Sequence, residues 1–259
     1  MSCGASVRPW CAGEASFWEC RDCGLVFRHP MPSEERLAAL YREAYSTARL
    51  ADGAPDMLSP DHAARQHAAF IAGLCPPAGR VLDFGAGTGA LAHSLRERGF
   101  AVTGVEASAD AVAEARRRYG VELHRNLAEI ALDARGAFDV VTCVEVIEHL
   151  ADPRPILTGF VELLRSGGRL YLTTPNRNGL LARAQKCRWR EARDPCHLVL
   201  YNYPALGRVL RAAGFGELRY VRFSPLTDAA LLKGLMHRAL QGVGLYGGLR
   251  VTARKPSPG

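Results

Sequence analysis

The chain has 259 residues, of which 48% are hydrophobic and 23% are charged, and these ordinary fractions exclude a mostly disordered, collagenous or low-complexity protein. The 33 basic and 26 acidic residues give a formal net charge of +7, but the basic residues are spread along the chain and only three of them are lysines. We therefore assign this charge to a solvated surface in preference to a site for an acidic substrate or a nucleic-acid partner.

The apolar stretches are short and interrupted, well below the roughly 20 residues that a membrane-spanning helix needs. The amino-terminal residues lack the apolar core of a signal peptide. We therefore expect a cytoplasmic protein without a membrane span. In that compartment the eight cysteines should be reduced, so clustered cysteines suggest a metal site rather than a disulfide.

Residues 1–30 are rich in cysteine, with four in the segment, and they show no helical period. Cys20 and Cys23 form a C-x-x-C pair of the kind that binds zinc, and Cys3 and Cys11 precede it. A four-cysteine zinc site normally combines two tight pairs, whereas the first two cysteines here are spread out. The sequence leaves open a structural zinc ion on these four cysteines, a metal-free ribbon, and thiol chemistry.

Two helices are predicted over residues 31–75, which we treat as a helical cap. Ser33 can cap the first helix, because Glu34 and Glu35 follow it. The second helix is expected from about residue 60 to residue 74. A run of proline and glycine after Cys75 ends it.

From Arg80 onward, short apolar strands alternate with helices, which predicts β-α-β units and a parallel sheet. We assign residues 76–259 to one α/β domain that contains an irregular insertion over residues 175–200. Strands are expected at 81–84, 101–105, 121–124, 138–143, 170–173, 216–223 and 246–253. Helices are expected at 91–98, 108–119, 145–150, 155–164, 203–213 and 227–241.

The sharpest motif is a glycine-rich turn, Gly85-Ala86-Gly87-Thr88-Gly89, between a strand and a helix. Its glycines let the backbone approach a ligand closely and present amides at a helix N-terminus. The spacing is G-x-G-x-G rather than the G-x-G-x-x-G of dinucleotide sites. Asp83 precedes the turn, and its carboxylate would repel a pyrophosphate but suit an ammonium or sulfonium group.

A second carboxylate, Glu106, ends the next strand, where an acidic side chain can accept both hydroxyls of a ribose. Asp83, the glycine turn, Glu106 and the segment from Phe138 to Pro175 together resemble the class I S-adenosylmethionine-dependent methyltransferases. The resemblance covers about residues 60–254. It implies a Rossmann-like, mostly parallel sheet of seven strands whose last strand is antiparallel.

The resemblance also implies S-adenosylmethionine as the cofactor. Asp83 would hold its amino group, the glycine turn its methionine part, and Glu106 its ribose. The family contacts adenine just after the third strand, where many members carry an acid and this chain has Asn126. The implied cofactor-binding residues are Asp83, Gly85, Ala86, Gly87, Gly89, Glu106, Asn126, Leu127 and Val144.

Methyl transfer is an in-line displacement at an electrophilic sulfonium, so the protein mainly aligns the acceptor and excludes water. A hydroxyl acceptor also needs a base or a Lewis acid. The candidates are Glu145, Glu148 and His149, which share one face if residues 145–150 form a helix, and His197 further along the chain.

The segment from Glu145 to Leu150, the loop from Thr173 to Gly179, and His197 resemble the ubiquinone-pathway O-methyltransferases and their small-molecule relatives. They also resemble the small-RNA 3′-terminal ribose methyltransferases. In that RNA family the residues matching Glu145, Glu148, His149 and His197 would hold a divalent metal ion such as Mg²⁺. Three roles stay open: metal ligands, a metal-free base or orienting residue at His149, and structural positions.

The stretch from Cys20 to Tyr45 resembles the zinc-ribbon lead-in of some natural-product and sugar methyltransferases. In that pattern another C-x-x-C-G comes first, and the start of the chain, Met1 to Gly4, looks like its end. Either the natural chain begins before Met1 or Cys11 supplies the missing ligand.

We therefore expect an enzyme that methylates a small molecule, at oxygen in preference to nitrogen or carbon, in bacterial secondary metabolism or a quinone-like pathway. One alternative is a metal-dependent RNA ribose 2′-O-methyltransferase, and another is an N- or C-methyltransferase of a natural product. A non-catalytic cofactor-binding protein is a distant third. A homodimer is left open.

Overall fold

The fold is that of a computed structural model, which describes residues 6–13, 16–44, 60–130, 134–221 and 246–257. Cys3, the predicted loop over residues 46–59 and the predicted helix over residues 227–241 lie outside these ranges. None of the helices within them is long and apolar enough to cross a membrane.

The described residues form the following elements in chain order. The strands are β1 (Val7–Cys11), β2 (Phe17–Cys20), β3 (Val26–Arg28), β4 (Arg80–Phe84), β5 (Ala101–Val105), β6 (Leu123–His124), β7 (Phe138–Val144), β8 (Leu164–Pro175), β9 (Val199–Leu200), β10 (Gly216–Tyr220) and β11 (Gly248–Arg254). The helices are α1 (Glu34–Ala44), α2 (Pro60–Ala72), α3 (Ala90–Arg96), α4 (Ala109–Tyr119), α5 (Arg154–Leu163), α6 (Leu180–Gln185), α7 (Arg190–Arg193) and α8 (Tyr203–Ala212). Short 3₁₀ turns lie at Leu127–Glu129, Ile147–His149 and Lys186–Arg188.

Two sheets are present in the described part of the chain. The larger has seven strands in the order β10-β11-β8-β7-β4-β5-β6. Strand β4 pairs in parallel with β5 and with β7, and β5 pairs in parallel with β6. This confirms the predicted mostly parallel, Rossmann-like sheet of seven strands. The smaller sheet, in the order β1-β2-β3-β9, is antiparallel at each of its three pairings.

The predicted strands and helices between residues 80 and 120 are confirmed to within two residues, because caps and turns mark their ends in the sequence. Helix α4 shows why. The Ser108 hydroxyl accepts a hydrogen bond from the amide of Ala111, and Gly120 ends the helix with a φ of 61°. These are the preferred residue types at the two ends of a helix.

Strand β8 departs from its predicted bounds. The glycines at positions 167 and 168 predicted a break before a strand at 170–173, yet the strand begins at Leu164. The backbone of Lys255 explains the difference, because its carbonyl accepts from the amide of Gly167 and its amide donates to the carbonyl of Gly168. Pairing with a distant segment thus outweighs the low strand propensity of glycine.

The chain divides into two compact units, each discontinuous in sequence. The first unit comprises Met1–Pro32, Glu145–Leu157 and Leu172–Ala253. The second unit comprises Ser33–Val144, Thr158–Tyr171 and Arg254–Gly259. The second unit has a core of apolar side chains around β4 and β7, where Val81, Leu82 and Val140 are completely buried. Strands that are covered on both faces have sequences that are continuously apolar.

The first unit contains the smaller sheet, in which the insertion joins the amino-terminal segment. Val26 of β3 pairs with Leu200 of β9. Behind this pairing, Phe17, Trp189 and Ala192 pack in one apolar cluster. The predicted irregular insertion over residues 175–200 therefore has its own structure, two short helices and a strand, because the amino-terminal strands cover it.

Cys11 and Cys187 are joined by a disulfide within the first unit. This corrects two expectations, that the cysteines are reduced and that Cys11 is a zinc ligand. The reason is that β1 and the 3₁₀ turn at residues 186–188 lie side by side, with 5.6 Å between the two Cα atoms. Cys20 and Cys23 stand outside this disulfide, so a zinc site at their C-x-x-C pair stays a prediction.

Candidate functional site

The glycine turn of the second unit has the backbone that its sequence predicts. Gly85, Gly87 and Gly89 have φ angles of 74°, 53° and 82°, a backbone region that residues other than glycine rarely adopt. At Gly89 a Cβ atom would also lie 2.9 Å from the Cβ of Ala115. The glycines are therefore required both by the turn and by close packing of α4 against it.

Asp83 is buried at the end of β4, with 1% of its surface exposed. The Thr142 hydroxyl donates to its Oδ1 at 2.6 Å, and its Oδ2 has no hydrogen-bond partner among the described residues. Burial raises the pKa of Asp83 to about 6, the charge of Glu106 adds to the shift, and the Thr142 hydrogen bond opposes it. A buried carboxylate with an unmet acceptor suits a cationic ligand group.

Glu106 lies after β5, nearly buried, with both carboxylate oxygens against backbone amides. Its Oε2 accepts from the amide of Gly87 at 2.9 Å and its Oε1 from the amide of Ser108 at 2.8 Å. These bonds tie the acid to the glycine turn. Each oxygen keeps a second lone pair, so the carboxylate can still accept ribose hydroxyls.

The remaining predicted cofactor residues also lie in the second unit. Asn126 is exposed and caps the turn at residues 127–129, where its Oδ1 accepts from the amide of Glu129. Leu127 is half-buried beside it, and Val144 ends β7. The structure thus places every predicted cofactor residue in one unit, at or after the carboxyl ends of β4, β5, β6 and β7. Ligands of parallel sheets bind at this edge.

These residues fit S-adenosylmethionine. The unmet Oδ2 of Asp83 suits the positively charged amino group of the methionine part. The turn at Gly85 and Gly87 carries no side chains and leaves room for the main-chain atoms of the methionine part. A Cβ atom at Gly87 would meet nothing within 4 Å. Sequence reasoning missed Thr142, because a threonine in an apolar strand is also an ordinary strand residue.

The predicted helix over residues 145–150 is wrong. Residues Ile147–His149 form a single 3₁₀ turn, and Glu145 stands before it with a φ of 53°. Glu145 is exposed, whereas Glu148 is 1% exposed. The carbonyl and side chain of Thr173 explain the turn, because the carbonyl and hydroxyl oxygens both accept from the Glu145 amide. The three residues therefore do not share a helix face.

Glu148 is the buried acid of the first unit. The Thr174 hydroxyl donates to its Oε2 at 2.9 Å, and its Oε1 has no hydrogen-bond partner among the described residues. Burial raises the pKa of Glu148 well above its ordinary value, and the charge of Glu145 adds to the shift. Thr174, like Thr142, carried no signal in the sequence beyond strand propensity.

His149 and His197 meet in the first unit, although they are 48 positions apart in the chain. Their ring centroids are 4.8 Å apart, and His197 is 5% exposed. The Nδ1 of His149 lies 2.9 Å from the carbonyl of Cys196, and the Nδ1 of His197 lies 2.8 Å from the carbonyl of Glu191. Because carbonyls only accept, each Nδ1 carries a proton, and the neutral form of His149 has its lone pair on Nε2.

Glu148, His149 and His197 form a compact donor cluster. One potential ligand atom from each lies within 4.8 Å of the other two. Burial lowers the pKa of His149, and the neighbouring His197 lowers it further, so the neutral ring is favoured. The cluster can therefore remove a proton from a hydroxyl, or hold a divalent ion through a carboxylate oxygen and two imidazole nitrogens. Glu145 is not part of this cluster.

Comparisons with known proteins identify a family and a fold. The sequence model of a family described as a methyltransferase domain matches residues 60–218, more than half of the chain. The ubiquinone biosynthesis O-methyltransferase of Cronobacter sakazakii is 40% identical over 105 residues, which cover 38% of this chain and 43% of that one. The protein of the same name from Xanthomonas axonopodis is 36% identical over 115 residues, covering 42% and 48%. The chain therefore aligns with less than half the length of these relatives.

Solved structures support the fold. The phosphoethanolamine N-methyltransferase 2 of Haemonchus contortus, in complex with S-adenosyl-L-methionine, superposes with a TM-score of 0.63. It is 18% identical, and the match covers 90% of this chain and 62% of that one. At that identity the likeness concerns the fold alone.

Proposed function

The chain belongs to the class I S-adenosylmethionine-dependent methyltransferases, and from this premise we propose that it methylates an oxygen atom of a small-molecule acceptor. The observation that carries the choice of oxygen is the buried cluster of Glu148, His149 and His197. A hydroxyl must lose its proton as it attacks the methyl group, and the cluster offers an unprotonated imidazole nitrogen for that proton.

In this proposal the residues of the second unit hold the cofactor. Asp83 receives the amino group, the glycine turn receives the methionine backbone, and Glu106 receives the ribose hydroxyls. The bound cofactor supplies an electrophilic methyl group on a sulfonium.

His149 is the proposed base. Its Nδ1 proton is held by the carbonyl of Cys196, which fixes the ring and directs the Nε2 lone pair to the acceptor hydroxyl. His197 orients it through ring contact, and the Thr174 hydrogen bond holds the Glu148 carboxyl beside them. The partly covered relatives named as ubiquinone biosynthesis O-methyltransferases support an oxygen acceptor on a ring-bearing small molecule.

The same cluster favours a second candidate, metal-assisted methylation, including transfer to an RNA ribose hydroxyl. The donor set fits a divalent ion, since Glu148 Oε1 has no partner among the described residues and two imidazole nitrogens face the cluster. Glu148, His149 and His197 would hold the ion, which would supply a Lewis acid that lowers the pKa of the acceptor hydroxyl.

An acceptor panel tests both candidates. The chain is incubated with methyl-labelled S-adenosylmethionine and, separately, with catechols and phenols, with aromatic amines, and with an RNA oligonucleotide, before and after chelation. The first candidate predicts that a phenolic oxygen is labelled and that the labelling continues after chelation. The second predicts label, on a phenol or a ribose, that chelation abolishes and Mg²⁺ or Mn²⁺ restores. Label confined to amines would contradict an oxygen acceptor.

A further inference from the structure

A cavity lies within the first unit, lined by residues that the proposed methyl-transfer site does not use. Its volume is about 290 Å³, at the small end of the range for ligand sites, roughly 300–1,000 Å³. Strand β1, the loop after β8 and helix α6 with the turn that follows it form its walls. The lining residues are Arg8, Trp10, Glu19, Arg177, Asn178, Arg183 and Lys186.

The lining is strongly basic. It carries four cations, Arg8, Arg177, Arg183 and Lys186, and a single carboxylate, Glu19. Burial alone would raise the pKa of Glu19, but hydrogen bonds and charges from Arg8 and Arg177 lower it, so this acid is ionised and already shared between two arginines. The cavity therefore keeps an excess of positive charge, and no acid of the described residues pairs with Arg183 or Lys186.

Arg177 makes this a built site rather than a patch of surface charge. It is 8% exposed, and its Nη2 donates to Glu19 at 2.8 Å and to the carbonyl of Gly24 at 2.7 Å. Its Nε has no hydrogen-bond partner among the described residues. A buried guanidinium is costly unless opposite charge compensates it, and one shared carboxylate does so only in part.

A disulfide tethers two segments of the cavity lining to each other. Trp10 and Lys186 line the cavity, and the residues that follow them, Cys11 and Cys187, are joined by the disulfide. The ammonium of Lys186 lies 5.2 Å from the centre of the Trp10 ring. A cavity with tethered walls loses little conformational entropy when it binds a ligand.

We propose that this cavity binds the phosphate group of a phosphorylated small molecule. A phosphate carries up to two negative charges, which match the excess cations, and its oxygens accept the paired N–H donors of arginine. Trp10 offers an apolar and aromatic surface to the rest of the molecule. The confined volume favours a small ligand over a nucleic-acid strand, which would need an extended groove.

This inference does not depend on the proposed acceptor chemistry. Arg177 follows Thr174, which holds Glu148, by three residues, so their Cα atoms are no more than about 10 Å apart along the chain. A bound phosphate could thus belong to the acceptor itself or to a separate effector. The site is defined by phosphate in either case.

Calorimetric titration of the full chain tests the inference, with phenyl phosphate and inorganic phosphate as probes and sodium chloride at matched ionic strength. We expect saturable binding of phenyl phosphate by the wild type. The double variant Arg183→Gln/Lys186→Gln should bind at least about tenfold more weakly, because each lost charge removes a charge-assisted hydrogen bond. Both side chains are exposed, so the variant should fold, and its melting temperature and S-adenosylmethionine affinity check that it does.

Arg211→Gln is the matched control, since Arg211 is exposed on α8 and does not line the cavity. It should bind phenyl phosphate as the wild type does. Phenyl phosphate binding more tightly than inorganic phosphate would indicate an ester ligand, and equal affinities would indicate free phosphate. The inference is wrong if neither probe saturates, or if the double variant binds phenyl phosphate like the wild type. It is also wrong if the wild type and both variants bind an RNA oligomer more tightly than phenyl phosphate and Arg211→Gln weakens RNA binding as much as the double variant does.

Discussion

Asp83 combines a cost to folding with a proposed role in cofactor binding. Its carboxyl is buried, and only one of its oxygens accepts a hydrogen bond among the described residues. Its pKa of about 6 lies above the ordinary value of 3.8, so the folded chain binds this proton more tightly than the unfolded chain does. The contribution of Asp83 to the free energy of unfolding is therefore fully present below about pH 4, and it is lost as the pH rises through 6.

Asp83→Asn should separate the two effects. The amide cannot ionise, so at pH 7 the unliganded variant should be more stable than the wild type by up to about 3 kcal/mol, the equivalent of two pKa units. The same variant should lose at least about tenfold in S-adenosylmethionine affinity, because the charge opposite the amino group is gone. Urea unfolding at pH 5 and pH 7 and calorimetry measure both. Asp22→Asn, at an exposed position, is the control, and unchanged cofactor affinity in Asp83→Asn would remove this residue from the site.

Sequence reasoning located the acids and histidines of the site but not the hydroxyls that hold them. Asp83 and Glu106 were predictable because each ends a strand of a recognisable β-α-β pattern. Thr142 and Thr174 were not, since threonine in a strand indicates propensity as readily as a hydrogen bond. The meeting of His149 with His197 followed only from a family resemblance, because no local pattern joins residues 48 positions apart.

At the scale of elements, the turn between β7 and the 3₁₀ helix differs most from its prediction. The spacing of Glu145, Glu148 and His149 fits a helix, but local spacing carries no information about the strand that accepts from the Glu145 amide. Glu145 adopts a φ of 53°, which costs a residue with a side chain roughly 1 kcal/mol.

Glu145→Gly tests this turn. In a helix a glycine would destabilise the chain by about 1 kcal/mol, whereas at a positive φ it should be neutral or stabilising by up to about that amount. Urea unfolding measures the difference. Glu145→Val serves as the opposite case, because a β-branched residue tolerates this backbone poorly. Equal destabilisation by Gly and Val would restore the helical interpretation.

The elements that the sequence predicted best are those with both ends marked locally. The strands and helices between residues 80 and 120 carry glycine turns and a serine cap. Strands β1, β2 and β3 and their partner β9 were missed because the pairing joins residues such as Val26 and Leu200, which are far apart in the chain. Cysteine content drew attention to this segment, but the pattern could not distinguish a metal ligand from a disulfide partner.

At the scale of the whole molecule, the Cys11–Cys187 disulfide closes a loop of 176 residues. Cross-linking so long a segment reduces the entropy of the unfolded chain, and such bonds typically contribute about 2–4 kcal/mol. We expect Cys11→Ser/Cys187→Ser to lower the free energy of unfolding by an amount in that range. Cys75→Ser, which changes a buried cysteine outside this bond, is the comparison. Before this comparison, the free thiols of the wild type are counted by mass spectrometry. We expect two fewer free thiols than cysteines, and a free thiol at every cysteine would refute the bond.

In the proposed mechanism, S-adenosylmethionine transfers its methyl group to a hydroxyl that the cluster of Glu148, His149 and His197 activates. The most direct measurement compares kcat and S-adenosylmethionine Kd for His149→Ala and for His29→Ala, an exposed histidine outside the cluster. The account predicts that His149→Ala lowers kcat by about 100-fold or more, the usual effect of losing a general base, with an unchanged Kd. His29→Ala should change neither. Full turnover in His149→Ala, or a loss confined to Kd, would contradict the account.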